Sequence, residues 1–305
     1  MIIMLRYKVK LKFFSPLYVG TRNQELNAPD IIIHSDTIFS AIVNMYSLIY
    51  GLKETQEFIN AIKENDVFNC SSAFPFVGDK FFLPKPIGFK FGFTEPKKEK
   101  KIKFVDIDIV TKKRQASLKE VEDDEKIDKE KLVLFERPRV SLDRISLASN
   151  IYYAGGVKMH EEVGYWFFMD LSPEFEERVK TTIKVLGDEG IGGERTYGYG
   201  QFVPEFIEDN QQYSGNSFVL LSVFKPAESE IESLETKRYK IIKRGGYVYS
   251  PYSEILTNLR HPIYNVFAEG SVFEKPVKGE LTLSFSSSVH PVYRNYRAYL
   301  LPCDV

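Results

Sequence analysis

Apolar and polar residues alternate along Leu5–Phe14, with leucine, tyrosine, valine and phenylalanine on one side and four basic residues on the other. A period of two over this length predicts an amphipathic strand with one buried face and one cationic face. We interpret the cationic face as a solvated edge, and the alternative is a face turned towards phosphates.

The spacing becomes helical after a short apolar strand, Ile31–Ile33. Ser35 or Asp36 can cap the first turn, and apolar residues then recur at intervals of three and four up to Gly51, which is typical of a helix end. A second, weaker helix is predicted over residues 53–65.

The middle of the chain predicts strands near residues 151–153 and 163–169, followed by a helix that starts at Pro173 and ends at Gly187. Residues 1 to about 205 therefore read strand, helix, insert, strand, strand, helix, loop and strand. This is the split βαβ, ferredoxin-like order with additional pieces.

A polar break at residues 208–216 separates this unit from a second one. Apolar runs at 218–224 and 279–284 predict strands, and helical signals are few. We therefore predict an N-terminal domain at residues 1–207 and a degenerate α+β domain at residues 216–305.

Charge is concentrated in an insert of the N-terminal domain at about residues 95–131. It holds basic clusters at 97–101 and 112–114 and an acidic run at 122–125, with few apolar residues between them. This composition predicts a solvated, mobile insertion, or an arm that becomes ordered on an RNA or protein partner.

The stretch Gly190–Gly200 has five glycines in eleven residues, together with Arg195, Tyr197 and Tyr199. Glycine lets the backbone approach a ligand closely, a guanidinium can grip a phosphate, and tyrosine rings can stack on unpaired bases. The alternative is a Gly-rich hairpin whose tyrosines simply pack.

Similar combinations recur at Lys243–Tyr247 and at His290–Tyr299. Lysine plus arginine (41) and aspartate plus glutamate (42) nearly cancel, so a nucleic-acid site must be a local patch. The three clusters predict a localised RNA track.

With 305 residues, of which 43% are hydrophobic, the chain suits two globular domains. Cys70 and Cys303 stand alone, which excludes the usual zinc patterns and a disulfide framework and fits a reducing cytosol. No apolar run is long enough to span a membrane. We expect a cytoplasmic protein without a cofactor.

Catalytic candidates are sparse, because the four histidines are scattered and no standard catalytic motif occurs. His34 is either structural or a general base, and Glu25 and Asp30 are either solvated or metal ligands. In the segment from Arg137 to Arg144, the arginines are either paired with an aspartate or free to contact phosphates.

Several motifs resemble the RAMP superfamily of CRISPR-associated proteins: Ser15–Gly20, Ile33–Ile42 and Gly190–Gly200, joined by Gly270–Phe273 and Arg294–Tyr299. Within that superfamily the chain resembles subunit four of the type III-A Csm interference complex. The histidine-serine-aspartate-threonine helix start is the motif more specific to that subunit.

The resemblance implies two ferredoxin-like (RRM-like) domains, with antiparallel sheets, helices on one face and a β-hairpin thumb in the charged insert. It further implies a non-catalytic structural subunit that holds the 5′ tag of CRISPR RNA (crRNA) in antiviral defence. Its partners would be the large Cas10-type subunit and a backbone RAMP subunit of the Csm complex.

The RNA contacts implied by the resemblance are His34, Ser35, Arg139, Arg144, Gly192, Gly193, Arg195 and Tyr197, with Arg244 and Arg294 in addition. Glu194 opposes phosphate binding locally. Two alternatives stay open: a RAMP endoribonuclease that processes crRNA or cuts target RNA with His34 or Asp30, and a protein scaffold that binds no RNA.

Overall fold

The computed structural model describes residues 3–19, 32–93, 96–112, 115–125, 131–142, 149–236 and 238–305. The elements up to residue 208 are β1 (Leu5–Phe13), α1 (Ser35–Asn65), β2 (Phe68–Cys70), β3 (Phe74–Val77), β4 (Lys80–Pro84), α2 (Pro96–Glu99), β5 (Phe104–Asp106), α3 (Ile107–Val110), α4 (Leu118–Glu125), β6 (Leu132–Leu142), β7 (Ser149–Met159), β8 (Val163–Leu171), α5 (Glu176–Glu189) and β9 (Phe202–Glu208). Short 3-10 turns lie at Pro173–Phe175 and Arg195–Tyr197.

The first part of the chain is organised around an antiparallel sheet in the order β5-β4-β3-β8-β1-β9, with β2 paired to β8. Val9 of β1 lies opposite Phe167 of β8 on one side and Phe206 of β9 on the other. Because α1 follows β1 and α5 follows β8, this is the predicted ferredoxin-like arrangement. The α+β prediction is confirmed.

Helix α1 has the predicted interruption at Gly51, whose φ of 85° and ψ of 169° are not helical. Before this break Ile38 and Ile42 are buried, and after it Phe58 and Ile62 are buried. The two helical segments thus pack on the same core, because glycine adopts a positive φ without a Cβ clash.

Both faces of the sheet are covered, which the alternation in β1 did not reveal. Lys8 and Lys10 are only 7% and 6% exposed, so the prediction of a solvated cationic edge is wrong. Lys8 Nζ lies 3.3 Å from Asp209 Oδ1, and Lys10 Nζ donates to the carbonyl of Gly78 at 3.0 Å. Both ammonium groups also lie over the ring of Phe81, so their charges are satisfied while their stems are buried.

A second hydrophobic core joins this covered face to the rest of the chain. Trp166 and Phe168 of β8 pack there with Val219, Leu221 and Leu301 from the C-terminal part. The charged insert contributes buried residues to the same core: Ile102, Val105, Ile107, Ile109, Val110 and Val121. The described residues of the insert are therefore packed against the body, and the prediction of a mobile excursion is wrong for them.

The long hairpin is formed by β6 and β7, which pair from Leu132 opposite Met159 to Leu142 opposite Ser149. It follows the charged segment rather than lying within it, which corrects the expected place of the thumb. Its base is tied to the body by a bridge between Leu17 and Val157.

The C-terminal part is mostly strand. Its elements are β10 (Ser217–Leu220), α6 (Glu228–Ile231), β11 (Ile241–Tyr247), α7 (Glu254–Thr257), β12 (Arg260–Phe267), β13 (Val272–Phe273), β14 (Leu281–Phe285), β15 (Val292–Asn295) and β16 (Leu300–Cys303). They form the sheet β13-β10-β16 and the two-stranded pairs β11-β12 and β14-β15.

Candidate nucleic-acid interface

A cleft of about 1200 Å³ lies between the two parts of the chain. One wall comes from the first half of α1 and from residues 190–195, and the other comes from β11, β12 and residues 290–294. The structure thus brings all three glycine, arginine and tyrosine clusters of the sequence to one site.

The lining of the cleft is cationic although the chain as a whole is nearly neutral. Its basic residues are Arg195, Lys243, Arg244, Arg260 and Arg294. No aspartate or glutamate occurs among the lining residues that the structure describes. Such a wall concentrates positive potential where an anionic chain can enter.

Asp36 lies beneath the cleft and holds two of these arginines. Arg244 donates to its carboxylate from Nη2 at 2.7 Å and from Nε at 3.1 Å, and Arg294 Nη1 lies 3.1 Å away. Burial acts to raise the pKa of Asp36, but the two guanidinium groups outweigh it and hold this pKa well below its usual range. The expected capping role is wrong: the N-cap residue of α1 is His34, and its side chain makes no capping bond.

His34 and Ser35 are buried where the two parts of the chain meet. His34 Nδ1 lies 2.8 Å from Glu269 Oε1, and Ser72 Oγ donates to the same oxygen. The backbone N–H of Ser35 donates to Ser72 Oγ at 2.8 Å, while Ser35 Oγ accepts from the N–H of Val223 at 3.1 Å. These two predicted RNA contacts thus bond to the protein itself.

Burial acts to raise the pKa of Glu269, but the neighbouring His34 and the hydroxyl of Ser72 outweigh it and lower this pKa. A carboxylate placed between an imidazole and a hydroxyl is a structural link here, because its bonds join α1 to the segment before β13.

The glycines of the stretch 190–200 approach the chain's own backbone rather than leaving it open. Gly190, Gly193 and Gly200 donate their N–H groups to the carbonyls of Leu186, Tyr18 and Pro16. A Cβ on Gly192 would lie 2.4 Å from the carbonyl oxygen of Tyr18. The stretch is therefore a compact loop, held against residues 16–18, that presents its side chains to the cleft.

Arg195 is the side chain that this loop directs into the cleft. Its guanidinium carbon lies 4.6 Å from the ring centre of Tyr249, and its Nη1 lies 3.6 Å from Glu189. This contact joins the Gly-rich loop to the C-terminal wall, and a quarter of the Arg195 side chain stays exposed.

The two tyrosines of the loop differ in exposure. Tyr197 is 63% exposed, whereas Tyr199 is buried. Arg139 of β6 lies over Tyr197 at 4.1 Å and donates to Glu194 Oε2 at 2.6 Å. Glu194 thus neutralises Arg139, so that this predicted phosphate contact is already engaged in an ion pair.

Four cleft residues were not predicted as RNA contacts: Lys243, Tyr247, Tyr249 and Arg260. Arg260 lies opposite Tyr247 in the β11-β12 ladder, with its guanidinium carbon 4.7 Å from the ring centre. The run from Lys243 to Tyr247 was recognised as a cluster, but Arg260 is revealed only by the pairing of the two strands.

The remaining candidates lie outside the described residues, namely Arg144, Glu25 and Asp30. Within the described ranges, no group of three or more histidine, cysteine, aspartate or glutamate side chains is placed to hold a metal ion. No helix in the same ranges combines the length and the apolar character needed to cross a membrane.

Solved structures with this fold include a chain of a crystal structure of a "Csm3-Csm4 subcomplex in the type III-A CRISPR-Cas interference complex". The TM-score is 0.66 and the identity 23%, with 98% of this chain and 99% of that chain covered. A chain of a "Csm1-Csm4 cassette in complex with cA4" matches with a TM-score of 0.62 and 22% identity, over 99% and 98% of the two chains.

Sequence comparison agrees with the fold. The "CRISPR system Cms protein Csm4" of Thermococcus onnurineus is 29% identical over 280 residues, which cover 86% of this chain and 88% of that protein. Residues 213–303 match the family described as the CRISPR Csm4 C-terminal domain. Residues 10–203, more than half of the chain, match the RAMP superfamily, and the protein is therefore a member of that superfamily.

Proposed function

We propose that the protein is a non-catalytic structural subunit of a type III CRISPR effector complex, of the Csm type, and that it binds the 5′ tag of crRNA. The observation that carries this proposal is the cleft, with its five basic and no acidic lining residues among those described. The similarity to Csm4 proteins over most of the chain supports the kind of complex.

The cations of the cleft have two different roles in this proposal. Arg244 and Arg294 share the charge of Asp36 and form a fixed floor. Arg195, Lys243 and Arg260 lie nearer the rim and contact phosphates, while Tyr247 and Tyr249 offer rings to unpaired bases. His34 and Ser35 act indirectly, by fixing the first turn of α1 beneath this surface.

The proposed partners are the large Cas10-type subunit and a backbone RAMP subunit, since related folds occur in solved Csm1-Csm4 and Csm3-Csm4 assemblies. The outer half of the β6-β7 hairpin has exposed apolar side chains that suit a protein contact: Val140, Leu142, Ile151 and Tyr153. We place the assembled complex in the cytoplasm.

Cleavage by His34 is not part of this proposal, because His34 is buried and hydrogen-bonded to Glu269. A general base must reach the hydroxyl whose proton it removes. We expect no products when the pure protein is incubated with repeat RNA or with guide-paired target RNA. Products that disappear in His34→Ala or Asp30→Ala would instead identify a ribonuclease.

The direct test is binding of single-stranded RNA with the tag, compared with RNA whose tag is scrambled. We expect Arg195→Ala to weaken binding by about 1–3 kcal/mol, typical of a charge-assisted contact or a stacking platform. Arg178→Ala is the matched control, because Arg178 pairs with Glu54 and does not line the cleft. Equal loss in both variants, or no loss in either, would contradict the proposal.

A further inference from the structure

Strand β11 has an irregularity where it forms the wall of the cleft. Its register with β12 shifts between Arg244 and Gly246, and Gly246 has a φ of 127°. A Cβ built on Gly246 would meet only Arg294 Nη2, at 3.8 Å. Gly245 and Gly246 thus leave a stretch of wall without side chains, although the strand continues on both sides.

Tyr247 stands at the end of this bare stretch and is 66% exposed. The guanidinium of Arg260 lies over its ring and its Nη2 donates to the tyrosine hydroxyl. An exposed aromatic ring held in one orientation by a cation is a ready platform for a planar base.

Two nearly buried side chains on the same wall have unsatisfied polar atoms. Arg294 Nε and His261 Nδ1 have no hydrogen-bond partner among the residues that the structure describes, and both residues line the cleft. His261 lies opposite Gly246 in the β11-β12 ladder. A buried polar nitrogen without a partner is costly, so that a ligand supplying one is favoured.

We propose that Gly245, Gly246, Tyr247, His261 and Arg294 form a slot that binds one unpaired nucleobase of the crRNA tag. This inference rests on the proposed function and gives it a base-specific contact. The base stacks on Tyr247, and its edge accepts a hydrogen bond from Arg294 Nε and pairs with His261 Nδ1.

The chemistry of the slot favours a neutral base over a phosphate. Burial, with a further contribution from Arg294, lowers the pKa of His261 to about 4, so that its imidazole is uncharged at neutral pH. The two nitrogens are shielded from solvent in the free chain. Entry of the base therefore requires a small shift of the two side chains, which exchanges their unsatisfied state for two hydrogen bonds.

The experiment scans a tag RNA with one abasic site at each position in turn. We expect one position at which loss of the base weakens binding to the wild-type protein about tenfold, the size of a single stacked base. In Tyr247→Ala the same RNA should bind within about twofold of the intact RNA, because the platform for that base is gone. Tyr247→Phe keeps the ring and should restore the tenfold effect.

Tyr239→Ala is the matched control, since Tyr239 is exposed and packs on Phe267 without lining the cleft. It should retain the tenfold effect. His261→Gln should change the ranking of the four bases at the sensitive position while leaving binding of the abasic RNA unchanged.

The slot is contradicted if no abasic position weakens binding, or if the sensitive position stays sensitive in Tyr247→Ala. Failure of the proposed function has a different signature, since the wild-type protein would then bind tagged and scrambled RNA equally well. The two failures are distinguished in the same set of titrations.

Discussion

Arg244 and Asp36 form a bidentate ion pair, with nitrogen to oxygen distances of 2.7 and 3.1 Å, between strand β11 and the first turn of α1. Arg294 adds a third cationic contact to the same carboxylate. Because one acidic group compensates two arginines, the floor of the cleft depends on it.

We predict that Asp36→Asn lowers the free energy of unfolding by about 3–5 kcal/mol, because it leaves buried guanidinium charge without a counter-ion. Chemical denaturation followed by circular dichroism measures this change. Asp79→Asn is the control, since Asp79 is fully exposed and faces Lys10 from 3.6 Å. A similar small effect for both substitutions would show that the buried carboxylate is dispensable.

Two glycines of the Gly-rich loop provide a test of its packing. Gly198 and Gly200 have nearly the same φ, 77° and 78°, but a Cβ would lie 4.0 Å from Gln201 Oε1 in the first and 2.0 Å from the carbonyl oxygen of Ile191 in the second. Gly198→Ala should cost about 1–2 kcal/mol from the left-handed backbone alone. Gly200→Ala should cost distinctly more by thermal or chemical denaturation, and equal losses would contradict the packing of the loop.

The free energy of unfolding should depend on pH through His261. Its pKa is lowered from 6.5 to about 4 in the folded chain by burial, with Arg294 adding to the shift and Asp36 opposing it. Between pH 6.5 and 4 the unfolded chain therefore binds a proton that the folded chain does not, and stability falls as the pH is lowered. Denaturation at pH 8 and at pH 4.5 should show a smaller fall for His261→Gln than for the wild type.

Lys243 is expected to contact a phosphate, because it lines the cleft, is exposed and has no ion-pair partner among the described residues. Lys243→Ala should reduce the slope of log affinity against log salt by about 0.7, the value for one phosphate of a single strand. Lys53→Ala, on the exposed side of α1, should leave the slope unchanged. An unchanged slope in both variants would exclude Lys243 from the RNA path.

The sequence predicted the parts of the fold that depend on local periodicity. The break at Gly51 and the order of strands and helices in the first part follow from spacing and from glycine chemistry. The burial of Lys8 and Lys10 does not, because alternation looks the same for a solvated face and for a face covered by a second layer.

The site was predicted in its segments but not in its pairings. Gly-rich stretches far apart in the chain were correctly expected to matter together, and they line one cleft. The bonds of Asp36 to Arg244 and Arg294 span more than two hundred residues, and helix-capping rules describe only local bonds. Arg260 became visible only when strand pairing placed it beside Tyr247.

An isolated RRM domain displays aromatic rings on the open surface of its sheet and stacks bases there. In this protein Trp166 and Phe168 occupy that surface and are roofed by Val219, Leu221 and Leu301. The ancestral reading surface is thus consumed in holding the molecule together, which leaves the seam as the place where a strand of RNA can be grasped. Neither half severed from the other would keep that grasp, and the first would emerge with two bare aromatic rings as a nucleus for aggregation.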